Sequence, residues 1–189
     1  MIRKRIAGFT LLELIVTLAL AAIIITVAVP AFQETMRRNR RATQANDLVS
    51  ALSLARSEAI KRGEMVTICR SSDQTDCTAG ANWEDGWLVF VDSNTAAGDA
   101  IGTLDDSEEP ALRVYAGLSG DNTLRVNGNF QNYLSYLPNG LSRGSTALPT
   151  GTFRLCDDQG AADARYIEIN STGRVQVRDY DAAEGDTCP

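Results

Sequence analysis

One acidic residue lies inside a long apolar stretch near the N-terminus. Residues 9–29 carry a single charge, that of Glu13. A helix of this length spans about 30 Å, the thickness of the hydrocarbon core of a bilayer. A carboxylate inside a membrane-spanning helix costs roughly 2.5–3.5 kcal/mol on insertion scales. A plain membrane anchor has no use for that charge, so we expect Glu13 to meet a cation that another chain supplies.

A second pattern resembles enzyme chemistry but lacks an essential group. Residues 140–144 read G-L-S-R-G and match the G-x-S-x-G nucleophile elbow of serine hydrolases. The chain contains no histidine, so the general base of a Ser-His-Asp triad is missing. The segment follows Pro138 and Asn139, which predicts a turn. Because phosphate-loop and metal-ligand motifs are also missing, we predict a protein that is not an enzyme and has neither a cofactor nor a metal.

The overall charge disfavours nucleic acid as a general partner. The chain has 18 basic and 24 acidic residues, a formal net charge of −6. Arg3, Lys4 and Arg5 precede the apolar stretch, so the remainder carries 15 − 24 = −9. Basic residues ahead of an apolar helix hold that end in the cytoplasm and send the rest outward.

The overall charge does not rule out a local basic patch near the C-terminus. On a predicted strand, Arg174, Gln176 and Arg178 share one face and could contact phosphates in a row. An ordinary amphipathic strand, with Val175 and Val177 pointing inward, explains the same residues. The acidic residues that follow, from Asp179 onward, oppose binding to an anion.

Four cysteines fall as two pairs along the sequence. Behind a membrane-targeting N-terminus, an even number of cysteines indicates disulfides in an oxidising compartment. Three connectivities are open, and we expect sequence neighbours to pair, Cys69 with Cys77 and Cys156 with Cys188. A zinc site is the alternative, but the chain has neither CxxC spacing nor histidine.

The apolar stretch leads into a second helical segment. Pro30 could end the helix or kink it, but helix-forming residues follow as far as Lys61, and Gly63 supplies a stop. Small and apolar residues recur at helical spacing and should pack on a folded body. These residues are Ala45, Leu48, Leu52, Ala55 and Ala59.

A cluster of four arginines follows the apolar stretch on what should be the exported side. These are Arg37, Arg38, Arg40 and Arg41. Such a cluster violates the usual excess of positive charge on the cytoplasmic side. Solvent and lipid headgroups are one explanation for it. We favour pairing with acidic residues of neighbouring subunits.

After Gly63 the pattern changes from helix to strands. Short strands punctuated by Gly, Asn, Asp and Pro predict two antiparallel sheets, or one strongly twisted sheet, resting on the helix. The expected strands are residues 65–69, 86–92, 111–115, 123–126, 131–137, 152–156, 165–170 and 174–180. The polar loop at residues 93–109 is acidic enough to suggest Ca²⁺, but solvated acidic loops are far commoner.

The N-terminal residues resemble the leader of type IV pilin precursors. Those leaders are short and basic and end in Gly before Phe-Thr-Leu-Leu/Ile-Glu, which this chain reproduces from Gly8 through Phe9 to Glu13. The resemblance implies cleavage by prepilin peptidase between Gly8 and Phe9, and N-methylation of Phe9. It also implies a mature helix that leaves the bilayer by packing into a filament. An ordinary secretory signal cleaved after Ala21 or Ala22 is the alternative, which Glu13 opposes.

The rest of the chain resembles the GspH/FimT family of minor pilins and pseudopilins. The matching segments are residues 54–60 (LARSEAI), 66–69 (VTIC), 86–90 (GWLVF), 151–156 (GTFRLC) and 173–175 (GRV). The resemblance implies the α+β type IV pilin fold, a long N-terminal helix packed on an antiparallel sheet body of about two sheets. The expected segments are a leader (1–8), a transmembrane or filament-core helix (9–29), an amphipathic helix (30–62) and a periplasmic β-rich domain (63–189).

This resemblance implies a minor type IV pilin that helps to initiate pilus assembly in or near the tip. A minor pseudopilin of type II secretion is one alternative. A DNA-binding minor pilin for natural transformation is another, although Gln176 replaces the second arginine of the Gly-Arg-x-Arg motif. The implied partners are prepilin peptidase, other minor pilins, and the major pilin or pseudopilins. Nucleic acid is not expected. The implied location is the bacterial inner membrane, with the body in the periplasm, and then a surface pilus or periplasmic pseudopilus.

Overall fold

A computed structural model describes residues 8–93, 100–104, 110–146, 148–181 and 188. The predicted leader before Gly8 lies outside the described residues, as do most carboxylates of the acidic loop considered for Ca²⁺. The chain divides into two compact units, Met1–Arg40 and Arg41–Pro189. One helix, α1 (Leu11–Arg62), precedes the strands. The described strands are β1 (Met65–Arg70), β2 (Gly86–Asp92), β3 (Ala111–Ala116), β4 (Thr123–Val126), β5 (Tyr133–Tyr136), β6 (Ser142–Gly144), β7 (Gly151–Asp157), β8 (Gly160–Ile169) and β9 (Val175–Asp179).

Helix α1 begins in the first unit with the apolar stretch. Among the described residues it is the one helix long and apolar enough to cross a membrane, with a mean hydropathy of 2.7 over its most apolar window. Pro30 lies inside α1, so the helix continues past it, as the helix-forming residues downstream predict. At the far end Gly63 adopts a φ of 71°, a left-handed conformation that suits glycine and ends the helix.

The strands of the second unit form two antiparallel sheets, which confirms the first of the two predicted arrangements. Sheet A has the strand order β3-β2-β1-β5-β6, and sheet B has the order β4-β7-β8-β9. The apolar strand β2 lies between β3 and β1 and is buried along its whole length, as a run that is apolar on both faces predicts.

The core forms where one face of α1 meets the inner faces of both sheets. All five residues of the predicted helical stripe are buried there. Sheet A contributes Val66 and Ile68 to this cluster, and sheet B contributes Phe153 and Ile167. Trp83 and Trp87 are buried in the same core. Alanines on the stripe let the helix backbone lie close to the sheets, because a small side chain takes little space between them.

Both predicted disulfides are present, Cys69–Cys77 and Cys156–Cys188. The sequence separations are 8 and 32 residues. In the loop-closure model the longer loop contributes roughly 3–4 kcal/mol and the shorter one about 2.5 kcal/mol. The Cys156–Cys188 bridge packs with Ala164, Tyr166 and Tyr180 in a small cluster of its own. It therefore ties Cys188 to β7.

Three predictions about the strands were wrong in detail. The G-x-S-x-G segment is not only a turn, since Ser142–Gly144 forms strand β6, which pairs with β5. Strand β8 begins at Gly160 rather than Arg165, because the turn after β7 is tight and pairing resumes at once. Val177, expected to point inward, is 43% exposed. It lies on β9, the edge strand of sheet B, where little covers its side chain.

A buried ion pair holds the start of the second unit's helical segment. Arg41 and Asp157 are 2.8 Å apart, and their side chains are 4% and 1% exposed. Arg41 Nη1 also donates a hydrogen bond of 3.0 Å to the carbonyl oxygen of Asp163. Asp157 Oδ1 accepts a hydrogen bond from the backbone N–H of Gln159. The assignment of Arg41 to contacts with neighbouring subunits was therefore wrong, because its guanidinium is buried against Asp157 and the Asp163 carbonyl of the same chain.

We expect Arg41→Ala to lower the free energy of unfolding by about 3–5 kcal/mol, since it leaves the Asp157 carboxylate buried without its cation. Arg38→Ala is the matched control, because Arg38 pairs with Glu34 on an exposed surface and such pairs contribute at most about 1 kcal/mol. Urea unfolding of the detergent-solubilised full chain, followed by tryptophan fluorescence, measures both variants. Equal losses in the two variants would contradict the role assigned to the buried pair.

Candidate assembly and membrane-anchoring site

The predicted cleavage site lies immediately outside the first turn of α1. Thr10 Oγ1 accepts a hydrogen bond of 3.2 Å from the backbone N–H of Glu13. Threonine followed three residues later by glutamate is the pattern of a helix N-cap, in which the hydroxyl satisfies an otherwise unpaired N–H. Gly8 and Phe9 therefore precede the helix, in backbone that is not helical. A peptide bond outside a helix is free of the helix hydrogen-bond ladder and open to a protease.

Glu13 lies in the first turn of α1 and is exposed, like every residue from 8 to 33. No salt bridge to its carboxylate occurs among the residues that the structure describes. Phe9 is 83% exposed. The apolar surface and its single charge are thus both left for contacts outside the folded body.

Three of the four clustered arginines remain within the first unit. Arg37 and Arg38 share the carboxylate of Glu34, at 3.1 and 2.7 Å. The hydrogen bond from Arg38 is the main cause that holds the pKa of Glu34 below its ordinary value. Arg40 follows on the same helix, half-buried. Arg37 and Arg38 thus bind the same carboxylate on the helix surface.

Polar side chains of α1 hold the loops of the body, a role that the sequence did not reveal. Arg56 donates hydrogen bonds to the carbonyl oxygens of Gly140 (3.1 Å) and Thr172 (2.9 Å), which lie in the β5–β6 and β8–β9 turns. The two turns also touch each other. A Cβ on Gly173 would lie 2.3 Å from the Gly140 carbonyl oxygen, so this contact requires glycine. Arg56 therefore joins a turn of each sheet to the helix.

A second polar anchor lies near the other end of the helical segment. Gln44 Nε2 donates a hydrogen bond of 3.0 Å to the carbonyl oxygen of Ser119, and Asn122 Nδ2 donates one to Gln44 Oε1. Gln44 and Asn122 are both buried. These contacts fix the β3–β4 loop against α1. Elsewhere on the helix surface, Glu58 and Arg62 form an ion pair 2.7 Å apart.

The predicted basic row, which consists of Arg174, Gln176 and Arg178, is only partly available to an anion. Arg178 Nε donates a hydrogen bond of 2.6 Å to Glu168 Oε1, and its guanidinium lies 4.4 Å from the centre of the Tyr166 ring. Arg174 is exposed just before β9 and, with Gln176 and Glu168, lines an open polar groove of about 360 Å³. The carboxylate of Glu168 within this groove disfavours a second anion.

No group of three or more histidine, cysteine, aspartate or glutamate side chains that could hold a metal occurs among the described residues. The buried Asp92, which begins the acidic loop, accepts hydrogen bonds through Oδ2 from the Thr67 hydroxyl (2.7 Å) and the Gly102 N–H (2.9 Å). Its role is thus to fix the loop against sheet A.

Comparison with known protein families identifies two segments. Residues 3–29 match the prokaryotic N-terminal methylation motif. Residues 44–173, more than half of the chain, match the model of the type II transport protein GspH. The chain belongs to the GspH family. The GspH segment begins in the buried part of α1 and includes Arg56 and both of the turns that Arg56 joins.

The fold of this GspH-family chain is similar to that of known pilins. Two crystal structures of the type IV minor pilin FimU from Pseudomonas aeruginosa strain PAO1, in space groups P21 and P65, superimpose with TM-scores of 0.57 and 0.53. Sequence identity is 20% in both cases, and the matches cover 82% and 78% of this chain and 96% of each FimU chain. This likeness confirms the type IV pilin fold. A sequence search of curated proteins gives no match.

The geometry of the basic row generates a prediction for the GspH domain. We expect no retardation of duplex DNA by the purified chain at low ionic strength. Arg178 is already in an ion pair with Glu168, so within this row only Arg174 is presented to phosphates. An electrophoretic mobility assay over a range of salt concentrations measures this. Salt-sensitive retardation that Arg174→Ala weakens, and the control Arg62→Ala does not, would show instead that the row binds phosphate.

Proposed function

We propose that this protein is a minor type IV pilin, a non-enzymatic subunit that is anchored in the inner membrane and helps to initiate filament assembly. One observation carries the proposal. A methylation-motif segment precedes an exposed, membrane-length apolar helix whose single charge is Glu13. Membership of the GspH family and the FimU-like fold support the same conclusion.

Processing by prepilin peptidase would convert the precursor into the mature subunit. The capped helix leaves the Gly8–Phe9 bond outside the first turn. Cleavage there, on the cytoplasmic side, removes residues 1–8 and gives Phe9 a new α-amino group, which methylation then modifies. The leader, as proposed, keeps its basic residues in the cytoplasm and sends the body into the periplasm.

Glu13 would then serve assembly by pairing with the new amine of a neighbouring subunit. Either charge alone is costly in a bundle of apolar helices, because the surrounding dielectric constant is low. When the carboxylate of one subunit meets the amine of the next, both costs are offset and the axial register of the two helices is fixed. The body, held on α1 by Arg41, Gln44 and Arg56, stays outside this helical core and contacts other minor pilins in or near the tip.

We expect Glu13→Ala to be processed normally but to be lost from filaments, because the variant no longer neutralises the adjacent amine. Intact mass of the membrane-extracted protein measures processing: residues 1–8 are absent and one methyl group is added. The amount of the subunit in sheared filaments measures assembly. Glu34→Ala is the matched control, since it removes a carboxylate from the same helix outside the apolar stretch, and we expect it to assemble.

Two results would contradict this proposal in separate ways. Incorporation of the Glu13→Ala variant into filaments at the wild-type level would show that assembly does not depend on Glu13. A purified chain that begins after Ala22 would indicate an ordinary secretory signal instead, and the pilin function would fail with it.

The alternative is a minor pseudopilin of a type II secretion system. The description of the matching family as a type II transport protein favours this candidate specifically. Leader, helix and body plan are shared by both kinds of subunit, so the chain's own geometry suits either filament. A DNA-binding minor pilin is the third candidate, supported by Arg174 alone.

Deletion of the coding sequence separates these candidates. We expect loss of surface filaments and of twitching motility, with protein secretion intact, because a minor pilin acts in pilus initiation. Loss of secreted exoproteins with filaments intact would favour the pseudopilin. Loss of transformation with filaments intact would favour the DNA-binding subunit. Complementation with the wild-type chain is the control for each phenotype.

A further inference from the structure

An open pocket lies on the second unit, at the end of sheet A where β1 finishes and β5 begins. Its volume is about 270 Å³. It is lined by the ends of these two strands, by residues 77–80, which begin at the Cys69–Cys77 disulfide, and by residues 101–103. The volume is just below the range of about 300–1,000 Å³ that is usual for small-molecule sites. The pocket therefore suits a single side chain rather than a large ligand.

Both loops that line the pocket are held in place. The disulfide ties the first loop to β1, and the Thr78 N–H donates a hydrogen bond of 2.9 Å to the carbonyl oxygen of Arg70. In the second loop, the Gly102 N–H donates a hydrogen bond of 2.9 Å to Asp92 Oδ2. Gly102 also lies so close to the Tyr133 ring that a Cβ at this position would overlap it. The pocket is thus formed in advance, and a ligand does not have to order these walls.

Arg70 brings to this pocket a cation that the described residues do not neutralise. Its half-buried side chain donates one hydrogen bond, from Nη2 to Asn132 Oδ1 (2.8 Å), and forms no ion pair within the described part of the chain. Its Nε is enclosed and has no acceptor there. Burial lowers the pKa of the Arg70 guanidinium, and Asp85 opposes this effect only in part. A half-buried cation without a counter-ion costs free energy, which an anion bound in the pocket would offset.

The surroundings of Arg70 favour a single negative charge on an organic side chain. Among the described lining residues Arg70 is the one basic residue, and the nearby Asp85 carries the opposite charge. A doubly charged phosphate has too few cations here, whereas one carboxylate matches one guanidinium. Ala79, Ile101 and the Tyr133 ring offer apolar surface to the methylene groups that carry such a carboxylate.

We propose that this pocket binds an acidic side chain of a peptide segment that another protein presents. The carboxylate pairs with Arg70, whose guanidinium Asn132 positions, and the side-chain stem packs on Tyr133. A Cβ built on Gly80 would meet nothing within 4 Å, so this part of the lining leaves room for the main chain of the peptide. The site lies wholly in the second unit, and it goes beyond the proposed pilin function without depending on it.

The test measures the binding of short blocked peptides to the full chain, purified in mild detergent, at neutral pH and low ionic strength. The probes are acetyl-Ala-Glu-Ala-amide and acetyl-Ala-Gln-Ala-amide, and saturation-transfer NMR over a range of peptide concentrations gives their affinities. We expect the Glu peptide to bind about tenfold more tightly, because only its carboxylate makes a charge-assisted hydrogen bond with the guanidinium. Acetate and inorganic phosphate, added at the concentration of the peptide, should displace it only weakly.

Two variants and a matched control locate the binding. Arg70→Gln should lower the affinity for the Glu peptide to that for the Gln peptide. Ala79→Leu keeps the charge but fills the pocket from an exposed position in its lining, and it should also weaken binding of the Glu peptide. Arg113→Gln removes an exposed arginine from β3 of the same sheet, outside the pocket, and should leave the affinity unchanged.

Equal affinities of the wild-type chain for the two peptides would overturn the proposal, as would equal losses in Arg70→Gln and Arg113→Gln. Full displacement of the Glu peptide by equimolar acetate or phosphate would also overturn it, because the site would then bind free anions rather than a peptide. If Arg70→Gln does not fold, Ala79→Leu still decides whether binding takes place in this pocket. Processing at Gly8 and filament formation are scored separately, so failure of this site and failure of the pilin function are distinguishable.

Discussion

The apolar surface of α1 before Arg37 is the constraint on which the rest of the structure depends. Every residue from 8 to 33 is exposed in the described structure, which no soluble monomer tolerates over such a length. The surface must therefore be covered by lipid or by other helices. Glu13 fits only the second of these environments well, because a partner helix can bring a cation to it whereas lipid tails cannot.

The second half of the same helix is buried on one face instead of being exposed all round. From Arg41 onward one face of α1 is buried against two sheets, and small residues on that face bring the backbones close together. Polar side chains lie at both ends of the buried segment. Arg41 holds a backbone carbonyl of β8 at one end, where Gln44 holds one of the β3–β4 loop, and Arg56 holds turn carbonyls at the other end. A single helix thereby presents an exposed, membrane-length apolar surface in one part and packs against both sheets in the other.

Local patterns accounted for most of what the sequence predicted correctly. Alternating and apolar runs located β1, β2, β4 and β7 within one or two residues, and helical spacing identified the buried stripe. The pairing of cysteines followed from their proximity along the chain. In these cases the residues that decide the structure are neighbours in sequence, so their spacing carries the information.

The contacts that the sequence did not reveal all join distant segments. Arg41 reaches a carbonyl 122 residues away, and Arg56 reaches turns 84 and 116 residues away. The sequence pattern of an arginine within a cluster of arginines is the same whether its side chain faces solvent or a buried carboxylate. Strand β6 is three residues long and is stabilised by pairing with β5 and by hydrogen bonds from the Ser142 hydroxyl to two loop carbonyls. A pattern of that length is too short to distinguish a strand from a turn.

The two disulfides differ in when they can close. Cys69 and Cys77 are only 8 residues apart, so their bridge can form before the rest of the body has folded. Cys156 must wait for Cys188, 32 residues later, and Cys156 lies on an inner strand of sheet B. Until that second cross-link forms, β7 and β8 depend on pairing and packing alone. The oxidation state of this one bridge therefore distinguishes newly synthesised molecules from fully matured ones, and thiol labelling in a pulse-chase experiment would follow the conversion.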